Sequence, residues 1–230
     1  MSEQPSIQSA TIELRAEDGA NISAYHVRPP VPAKAGLILV QEIFGVNSHI
    51  RAQAERFAAS GYEVLAPAFF DRVQKQVELG YDQESIAKAR PLVAELGFER
   101  PLLDVKAAKG RLRSAGKVFI VGYCWGGSLS YLAAARVPGL AAAVGYYGGA
   151  ISRFADESPR VPTLLHFGEQ DASIPLGDVE TLRKKQPGVE IHVYPAGHGF
   201  NCDQRASYSE PAASQALTRT LAFFERALKG

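Results

Sequence analysis

The sequence contains few cysteines and no surplus of charge of either sign. Only two of its 230 residues are cysteine, Cys124 and Cys202, which is too few for the disulfide framework of a small secreted protein. Lysine and arginine number 25 against 24 aspartate and glutamate, giving a formal net charge of +1. No basic run offers a surface for a polyanion. We therefore expect two free thiols and no nucleic acid as a partner.

Long hydrophobic runs are also missing. No apolar stretch reaches the roughly 20 residues that a membrane-spanning helix requires, and residues 1–14 lack the basic start and apolar run of a signal peptide. The sequence therefore predicts a cytoplasmic protein without a membrane anchor. It contains no repeat or low-complexity linker, and its length suits one α/β domain. We predict a single domain over residues 1–230, as a monomer or a small homo-oligomer.

Short apolar runs alternate with segments of helical composition along most of the chain. Residues 11–14 and 21–27 flank an Asp-Gly turn and predict an antiparallel hairpin. Six further runs are rich in Val, Ile and Leu, which is typical of buried parallel strands: 36–40, 62–66, 117–123, 141–146, 163–167 and 189–194. The helical segments between and after them are 48–59, 83–96, 101–114, 128–136, 176–185 and 211–228.

This order of elements predicts an α/β fold with a doubly wound, mostly parallel sheet. The antiparallel hairpin begins the sheet, and the later alternation of strand and helix places helices on both of its faces. Residues 69–80 show no clear periodicity. We interpret them as a loop that borders the functional site.

A glycine-rich turn lies between a predicted strand and a predicted helix. Residues 122–127 read GYCWGG, which matches the G-x-nucleophile-x-G elbow of α/β-hydrolases with cysteine in the nucleophile position. Glycines let the two arms of such a turn approach each other. The pattern predicts Cys124 as a nucleophile and the backbone N–H of Trp125 as an oxyanion donor. The alternative interpretation is a structural cysteine in a Gly-rich turn.

Two polar loops follow the next predicted strands in the order expected of a catalytic triad. FGEQD ends at Asp171, and PAGHGF contains His198, so that nucleophile, acid and histidine follow one another along the chain. Asp171 alone could be a helix cap and His198 alone a loop histidine. Glu169 is a rival acid, placed nearer to the strand end. The other histidines, His26, His49, His166 and His192, fall in predicted strands or at a helix start and suit a catalytic base poorly.

Four motifs together resemble the dienelactone hydrolase family. They are QEIFG at 41–45, the elbow at 122–127, GYYG at 145–148 and GHGF at 197–200. The resemblance covers nearly the whole chain. It implies the α/β-hydrolase fold and a cysteine hydrolase that uses neither a metal nor another cofactor. The best-known members of this family open dienelactone to maleylacetate in chlorocatechol breakdown.

The resemblance also implies roles for two residues of the first motif. Glu42 matches a glutamate that contacts the resting thiol in the family. A carboxylate and a thiolate at close range disfavour each other, because both are negatively charged. Ile43 matches the residue whose backbone N–H is the second oxyanion donor. The alternative for Glu42 is a solvated glutamate at a strand end.

Residues that bind the substrate are predicted less directly. Phe44, Tyr147 and Phe200 lie in the motifs and would line an aromatic pocket with Trp125 and Tyr146. Family members that handle dienelactone bind its carboxylate with two arginines, and one of these positions is Cys202 here. Cysteine cannot replace a guanidinium. Arg205, Arg90 or Lys88 could bind a carboxylate from another direction.

Taken together, these patterns predict a hydrolase that cleaves a small ester or lactone through a Cys-His-Asp triad and an acyl-cysteine intermediate. The histidines are scattered, and no close His/Cys spacing indicates a zinc site. Two alternatives remain open. One is a broad-specificity carboxylesterase or thioesterase, and the other is a non-catalytic ligand receptor on the same scaffold.

Overall fold

The computed structural model describes residues 6–230. The strands are β1 (Gln8–Arg15), β2 (Asn21–Arg28), β3 (Ala35–Val40), β4 (Tyr62–Pro67), β5 (Val118–Tyr123), β6 (Ala142–Tyr146), β7 (Thr163–Gly168) and β8 (Glu190–Tyr194). The α-helices are α1 (Ser48–Ala59), α2 (Gln83–Leu96), α3 (Glu99–Leu112), α4 (Trp125–Arg136), α5 (Leu176–Lys185) and α6 (Glu210–Lys229). The chain divides into two compact units, of which one ends at Phe119 and the other begins at Ile120.

The first unit begins with the predicted hairpin. β1 pairs antiparallel with β2, with Gln8 opposite Arg28 and Arg15 opposite Asn21, and Gly19 in the turn has a φ of +85° that favours glycine. β2 pairs antiparallel with β4, and β3 pairs parallel with β4. The strand order in this unit is therefore β1-β2-β4-β3. The first strand starts three residues earlier than predicted, at Gln8 and not at residue 11.

The second unit contains parallel strands with helices between them. From Ile120 onward the strand order is β5-β6-β7-β8, and both β6–β7 and β7–β8 pair in parallel. α4 begins at Trp125, so the predicted start at residue 128 was wrong. Gly126 and Gly127 look like helix breakers in the sequence. A Cβ on Gly127 would lie 2.4 Å from the carbonyl oxygen of Tyr146, so this glycine allows the helix to pack closely on β6.

Residues 69–80, predicted as a loop, contain a short 3₁₀ helix at Phe69–Arg72. The Arg72 guanidinium donates to both carboxylate oxygens of Asp104 in α3, at 2.6 and 2.9 Å. It also donates to both carboxylate oxygens of Asp18 in the hairpin turn, at 2.7 and 3.2 Å. These partners lie 32 and 54 residues away in the sequence. The ion pairs order a segment that has no periodic pattern of its own.

The predicted fold class is confirmed. Most of the strands are parallel, the N-terminal hairpin is antiparallel, and helices flank the strands. Strands β3, β5, β6 and β7 are buried along their whole length, which accounts for their continuous apolar composition. Within residues 6–230, no helix combines the length and the hydrophobicity needed to cross a membrane.

Candidate active site

Cys124 lies in the turn between β5 and α4. Its φ is +54° and its ψ is −117°, a backbone conformation that residues other than glycine rarely adopt. Backbone hydrogen bonds hold the turn: the Cys124 N–H donates to the carbonyl of Tyr146 at 2.9 Å, and the Cys124 carbonyl accepts from the N–H of Ser128 at 3.2 Å. A Cβ on Gly122 would lie 2.1 Å from the carbonyl oxygen of Gly126. The strained elbow therefore requires glycine at position 122.

Asp171 lies in the loop after β7. One of its carboxylate oxygens accepts a hydrogen bond from the N–H of Ser173 at 2.8 Å, while the Asp171 carbonyl accepts from the N–H of Ile174 at 3.1 Å. α5 begins later, with Pro175 as its N-cap residue and no side-chain cap. The alternative in which Asp171 caps this helix is therefore wrong. The contribution of Ser173 was not predicted, although an Asp-x-Ser turn is a recognisable local signal.

His198 connects the other two side chains. Its Nδ1 lies 2.7 Å from Oδ2 of Asp171, and its Nε2 lies 3.2 Å from Sγ of Cys124. The Asp171 side chain is fully buried and that of His198 is 20% exposed, while Cys124 is half-buried. The carboxylate is thus shielded from water, and the thiol lies near solvent.

Burial and two neighbouring side chains shift the pKa of the His198 imidazole. Burial of His198 disfavours its charged form. The negative charge of Cys124 and the hydrogen bond to Asp171 outweigh this effect and raise the pKa of His198 from 6.5 to about 10. A protonated imidazole at this position would in turn favour the thiolate form of Cys124.

Backbone contacts join the two loops that carry the acid and the histidine. The Glu169 N–H donates to the carbonyl of Tyr194 at 2.7 Å, and the Gln170 N–H donates to the carbonyl of Ala196 at 3.0 Å. A Cβ on Gly168 would lie 2.3 Å from the same Ala196 oxygen, so a larger residue would separate the loops. Glu169 itself is exposed. Of these two acids, Asp171 is the one that contacts His198.

The other histidines lie in the elements predicted for them. His26 is in β2, His49 in α1, His166 in β7 and His192 in β8. Both ring nitrogens of His166 already lie within hydrogen-bond distance of hydroxyl groups, those of Tyr194 and Thr220. Their positions leave His198 as the histidine in contact with the Cys124 thiol.

The predicted aromatic residues are all buried. Tyr147 adopts a positive φ of +38°, and its ring meets the imidazole of His198 edge-on at a centroid distance of 5.1 Å. Phe200 packs against Tyr147 at 5.3 Å. In the first unit, Phe44 packs against Tyr81 at 4.6 Å. Contact between these rings and a substrate stays a prediction, as it does for Trp125, which starts α4 and is 5% exposed.

Glu42 and Ile43 follow Gln41 in the loop after β3, in the first unit. The Glu42 side chain is 0% exposed, so the alternative of a solvated glutamate was wrong. The Gln41 side chain donates to the Glu42 carbonyl at 3.4 Å. Ile43 is half-buried and lies in a turn. The roles that the family resemblance implies for Glu42 and Ile43 stay predictions.

Arg205 lies against the loop of His198. A Cβ on Gly199 would be only 2.5 Å from Nη1 of Arg205, so the guanidinium covers the residue next to the histidine. Cys202 is fully buried, and its N–H donates to the carbonyl of Gly199 at 2.9 Å. Arg90 and Lys88 are exposed on α2, where Lys88 pairs with Glu84. Of the three predicted cations, the structure places Arg205 beside His198.

Comparisons with known proteins identify the family of this chain. Residues 22–228 match the model of the family described as "Dienelactone hydrolase family". A protein of Synechocystis sp. named "Putative carboxymethylenebutenolidase" is 37% identical over 213 residues, which cover 84% of this chain and 86% of that protein. "Carboxymethylenebutenolidase 1" of Cupriavidus pinatubonensis is 27% identical over 221 residues, covering 91% of this chain and 94% of that protein.

A solved structure is similar over almost its full length. The crystal structure of a "Putative Dienelactone Hydrolase" from Klebsiella pneumoniae superposes with a TM-score of 0.85 at 35% identity and covers 96% of this chain and 99% of that one. Both the family match and the structural similarity cover the two compact units. The chain belongs to the dienelactone hydrolase family.

Proposed function

We propose that this chain hydrolyses a small ester or lactone and that Cys124 is its nucleophile. One observation carries the proposal: an unbroken line of contacts runs from Sγ of Cys124 through both ring nitrogens of His198 to the buried carboxylate of Asp171. Such a line is the arrangement that activates a nucleophile and orients its base. Relatives named carboxymethylenebutenolidase support an ester or lactone as the substrate class.

In the acylation step, the Cys124 thiolate attacks the carbonyl carbon of the ester. The carbonyl π electrons move onto the oxygen, and the resulting tetrahedral intermediate expels the alcohol oxygen. That oxygen takes the proton from Nε2 of His198, which becomes neutral. In a lactone the alcohol stays attached to the acyl chain, so water must reach the thioester before the alcohol returns.

In the deacylation step, neutral His198 accepts a proton from a water molecule. The water oxygen attacks the thioester carbon, and the intermediate expels Cys124 as the thiolate. The acid product leaves, and the thiolate–imidazolium pair is restored. The Asp171 carboxylate stabilises the imidazolium throughout and keeps the ring in one orientation.

The oxyanion of each tetrahedral intermediate needs hydrogen-bond donors. The N–H of Trp125 starts α4, where helix N–H groups have no partner within the helix and the helix dipole favours negative charge. The family resemblance supports the N–H of Ile43 as the second donor. It also supports Glu42 as a carboxylate close to Cys124 that substrate displaces, because two neighbouring negative charges disfavour each other.

The replaced arginine of the family motif favours neutral substrates. With Cys202 buried in that position, we expect neutral aryl esters, short-chain esters and uncharged lactones to be hydrolysed at least as readily as a dienelactone with a free carboxylate. A carboxylate entering a closed site loses hydration and needs a paired cation. This expectation keeps a broad-specificity carboxylesterase or thioesterase as the second candidate.

Arg205 provides the test of substrate class. We expect Arg205→Gln to leave kcat/KM for neutral esters nearly unchanged, and Arg90→Gln on exposed α2 is the matched control. A wild-type preference for the free acid over its methyl ester that Arg205→Gln abolishes would show that Arg205 binds the carboxylate. The neutral-substrate expectation would then be wrong.

Two cysteine variants test the nucleophile. We expect Cys124→Ala to lose several powers of ten in kcat, on the order of the losses seen when triad members are deleted, whereas Cys202→Ala keeps most of its turnover. Both should be assayed against a panel of lactones and aryl esters. Equal losses in the two variants would overturn the assignment. Ligand binding without turnover in the wild type would favour the receptor alternative.

A further inference from the structure

A buried polar network lies beneath the triad loops in the second unit. The imidazole of His166, in β7, is completely buried. Its Nδ1 lies 2.9 Å from the Tyr194 hydroxyl in β8, and its Nε2 lies 3.0 Å from Oγ1 of Thr220 in α6. The same Oγ1 lies 2.7 Å from the hydroxyl of Tyr146 in β6. Four side chains thereby connect three strands with one helix.

The imidazole in this network is neutral. Burial lowers the pKa of His166 well below its ordinary value, and the neighbouring His192 and Arg219 side chains act in the same direction. A neutral imidazole offers one donor and one acceptor, and either tautomer can match two hydroxyl partners. Each ring nitrogen thus has a hydrogen-bond partner in the buried core, where an unpaired polar group would lower stability.

The strand residues of the network also hold the triad loops by their main chain. The Tyr146 carbonyl accepts the N–H of Cys124 at 2.9 Å. The Tyr194 carbonyl accepts the N–H of Glu169 at 2.7 Å, two residues before Asp171. Each of these two tyrosines therefore contacts a triad loop with its carbonyl and the network with its hydroxyl.

His166 makes a third connection of this kind. Its carbonyl accepts the N–H of Tyr147 at 2.7 Å, and the Tyr147 ring packs edge-on against the imidazole of His198. The network residues therefore contact the Cys124 backbone, the loop of Asp171 and the tyrosine that packs on His198. Thr220 is its one member outside the strands, and its hydroxyl lies between Tyr146 and His166.

We propose that Thr220 is a positioning residue for the triad, acting through His166 and the hydroxyls of Tyr146 and Tyr194. This inference rests on the proposed function, because it assigns Thr220 an effect on the reaction of Cys124. Loss of the Thr220 hydroxyl leaves two buried polar groups without this partner, and β6 and β7 shift to find others. A small shift of the strands changes the distance between Sγ and Nε2, to which the rate is sensitive.

Three variants separate this role from simple packing. Thr220→Val keeps the shape of the side chain and removes the hydroxyl, whereas Thr220→Ser keeps the hydroxyl. Thr218→Val is the matched control, because Thr218 is exposed on the same helix and bonds only within it, to the Ser214 carbonyl at 2.9 Å. We expect Thr220→Val to lower kcat about ten-fold or more, with KM changed less than about two-fold. Thr220→Ser and Thr218→Val should behave like the wild type.

A second readout does not require turnover. The rate at which iodoacetamide alkylates Cys124, followed by mass spectrometry from pH 5 to pH 10, reports the thiolate paired with His198. Thr220→Val should react several-fold more slowly than the wild type at neutral pH. A Thr220→Val protein that melts at a lower temperature but keeps the wild-type kcat and alkylation profile would overturn the proposal.

The two readouts also distinguish the failure of this inference from that of the proposed function. Wild-type protein that hydrolyses no ester, with alkylation still slowed in Thr220→Val, would defeat the proposed function and leave the positioning role intact. If Thr220→Val does not fold, Tyr194→Phe decides, since it removes one hydroxyl from the other end of the network. Wild-type kcat and alkylation in Tyr194→Phe would then contradict the proposal.

Discussion

Each of the two compact units contains a central nitrogen-bearing side chain between two acidic partners, and the two centres behave differently. In the first unit, the Arg72 guanidinium binds the carboxylates of Asp104 and Asp18. In the second, the imidazole of His198 binds the carboxylate of Asp171 and the thiol of Cys124. Both centres are held by residues far apart in the sequence.

The difference lies in whether the central group can release a proton. The Asp104 and Asp18 carboxylates raise the already high pKa of Arg72, despite the opposing effect of burial, so the guanidinium stays charged at any ordinary pH. This cluster joins distant segments of the fold and exchanges no proton. His198 has a pKa of about 10 and lies next to a half-buried thiol. Its proton can be exchanged with a substrate, which makes the second cluster suitable for catalysis.

Breaking the second cluster should have the largest effect. We expect His198→Ala and Asp171→Asn each to lose most of the turnover, about four powers of ten for the aspartate. The double variant should lose little more than the worse single one, because the residues act as a unit. Steady-state kinetics of the three proteins on one aryl ester measure this.

Glu169→Gln is the control for the acid. Glu169 is exposed and lies in the same loop, two residues from Asp171, so its loss should change kcat only slightly. A lower kcat in Glu169→Gln than in Asp171→Asn would show that Glu169, and not Asp171, is the acid of the triad.

Breaking the first cluster should change stability and not chemistry. Asp104 is fully buried, and Asp104→Asn removes the buried carboxylate that binds Arg72, leaving Asp18 as its charged partner. We expect the free energy of unfolding to fall by about 3 kcal/mol, measured by urea denaturation, with kcat of the folded protein unchanged. Asp18→Asn, at the exposed end of the cluster, should cost much less. A loss of kcat in Asp104→Asn without a loss of stability would contradict the distinction between the clusters.

Removal of the Cys124 thiol should cause a smaller change, in the pKa of His198. The negative charge of Cys124 raises the pKa of His198 against the effect of burial, so Cys124→Ala should lower it below 10. Because the pKa is raised, the stabilisation of the imidazolium is fully present below pH 6.5 and is lost as the pH rises through about 10. Titration of the His198 ring protons by NMR measures both values. An unchanged pKa in Cys124→Ala would contradict the ion pair.

Local patterns in the sequence predicted most of the fold and the three residues of the second cluster. Each triad residue lies just after an apolar strand, and the parallel register places such loops at the same edge of a sheet. The glycines of the elbow are a local signal as well. The predicted start of α4 was wrong because Gly126 and Gly127 resemble helix breakers, while Gly127 is needed for close packing on β6.

Contacts that join distant segments had no signal in the sequence. Arg72 lies 54 residues from Asp18, and Thr220 lies 54 residues from His166. Neither pair belongs to a motif with fixed spacing. A buried threonine in an amphipathic helix looks like any polar residue near a core, and an arginine in a non-periodic segment looks solvated. Only the packing of the strands and helices brings these partners together.

Trapping the covalent intermediate tests the role of Cys124 most directly. We predict that acid quenching during turnover of an aryl ester, followed by digestion and mass spectrometry, finds the acyl group on the peptide that contains Cys124 and none on the peptide that contains Cys202. The adduct should persist longer in His198→Ala if acylation still occurs, because deacylation needs the base. Rapid hydrolysis without an acyl group on Cys124, or with one on another residue, would contradict Cys124 as the nucleophile.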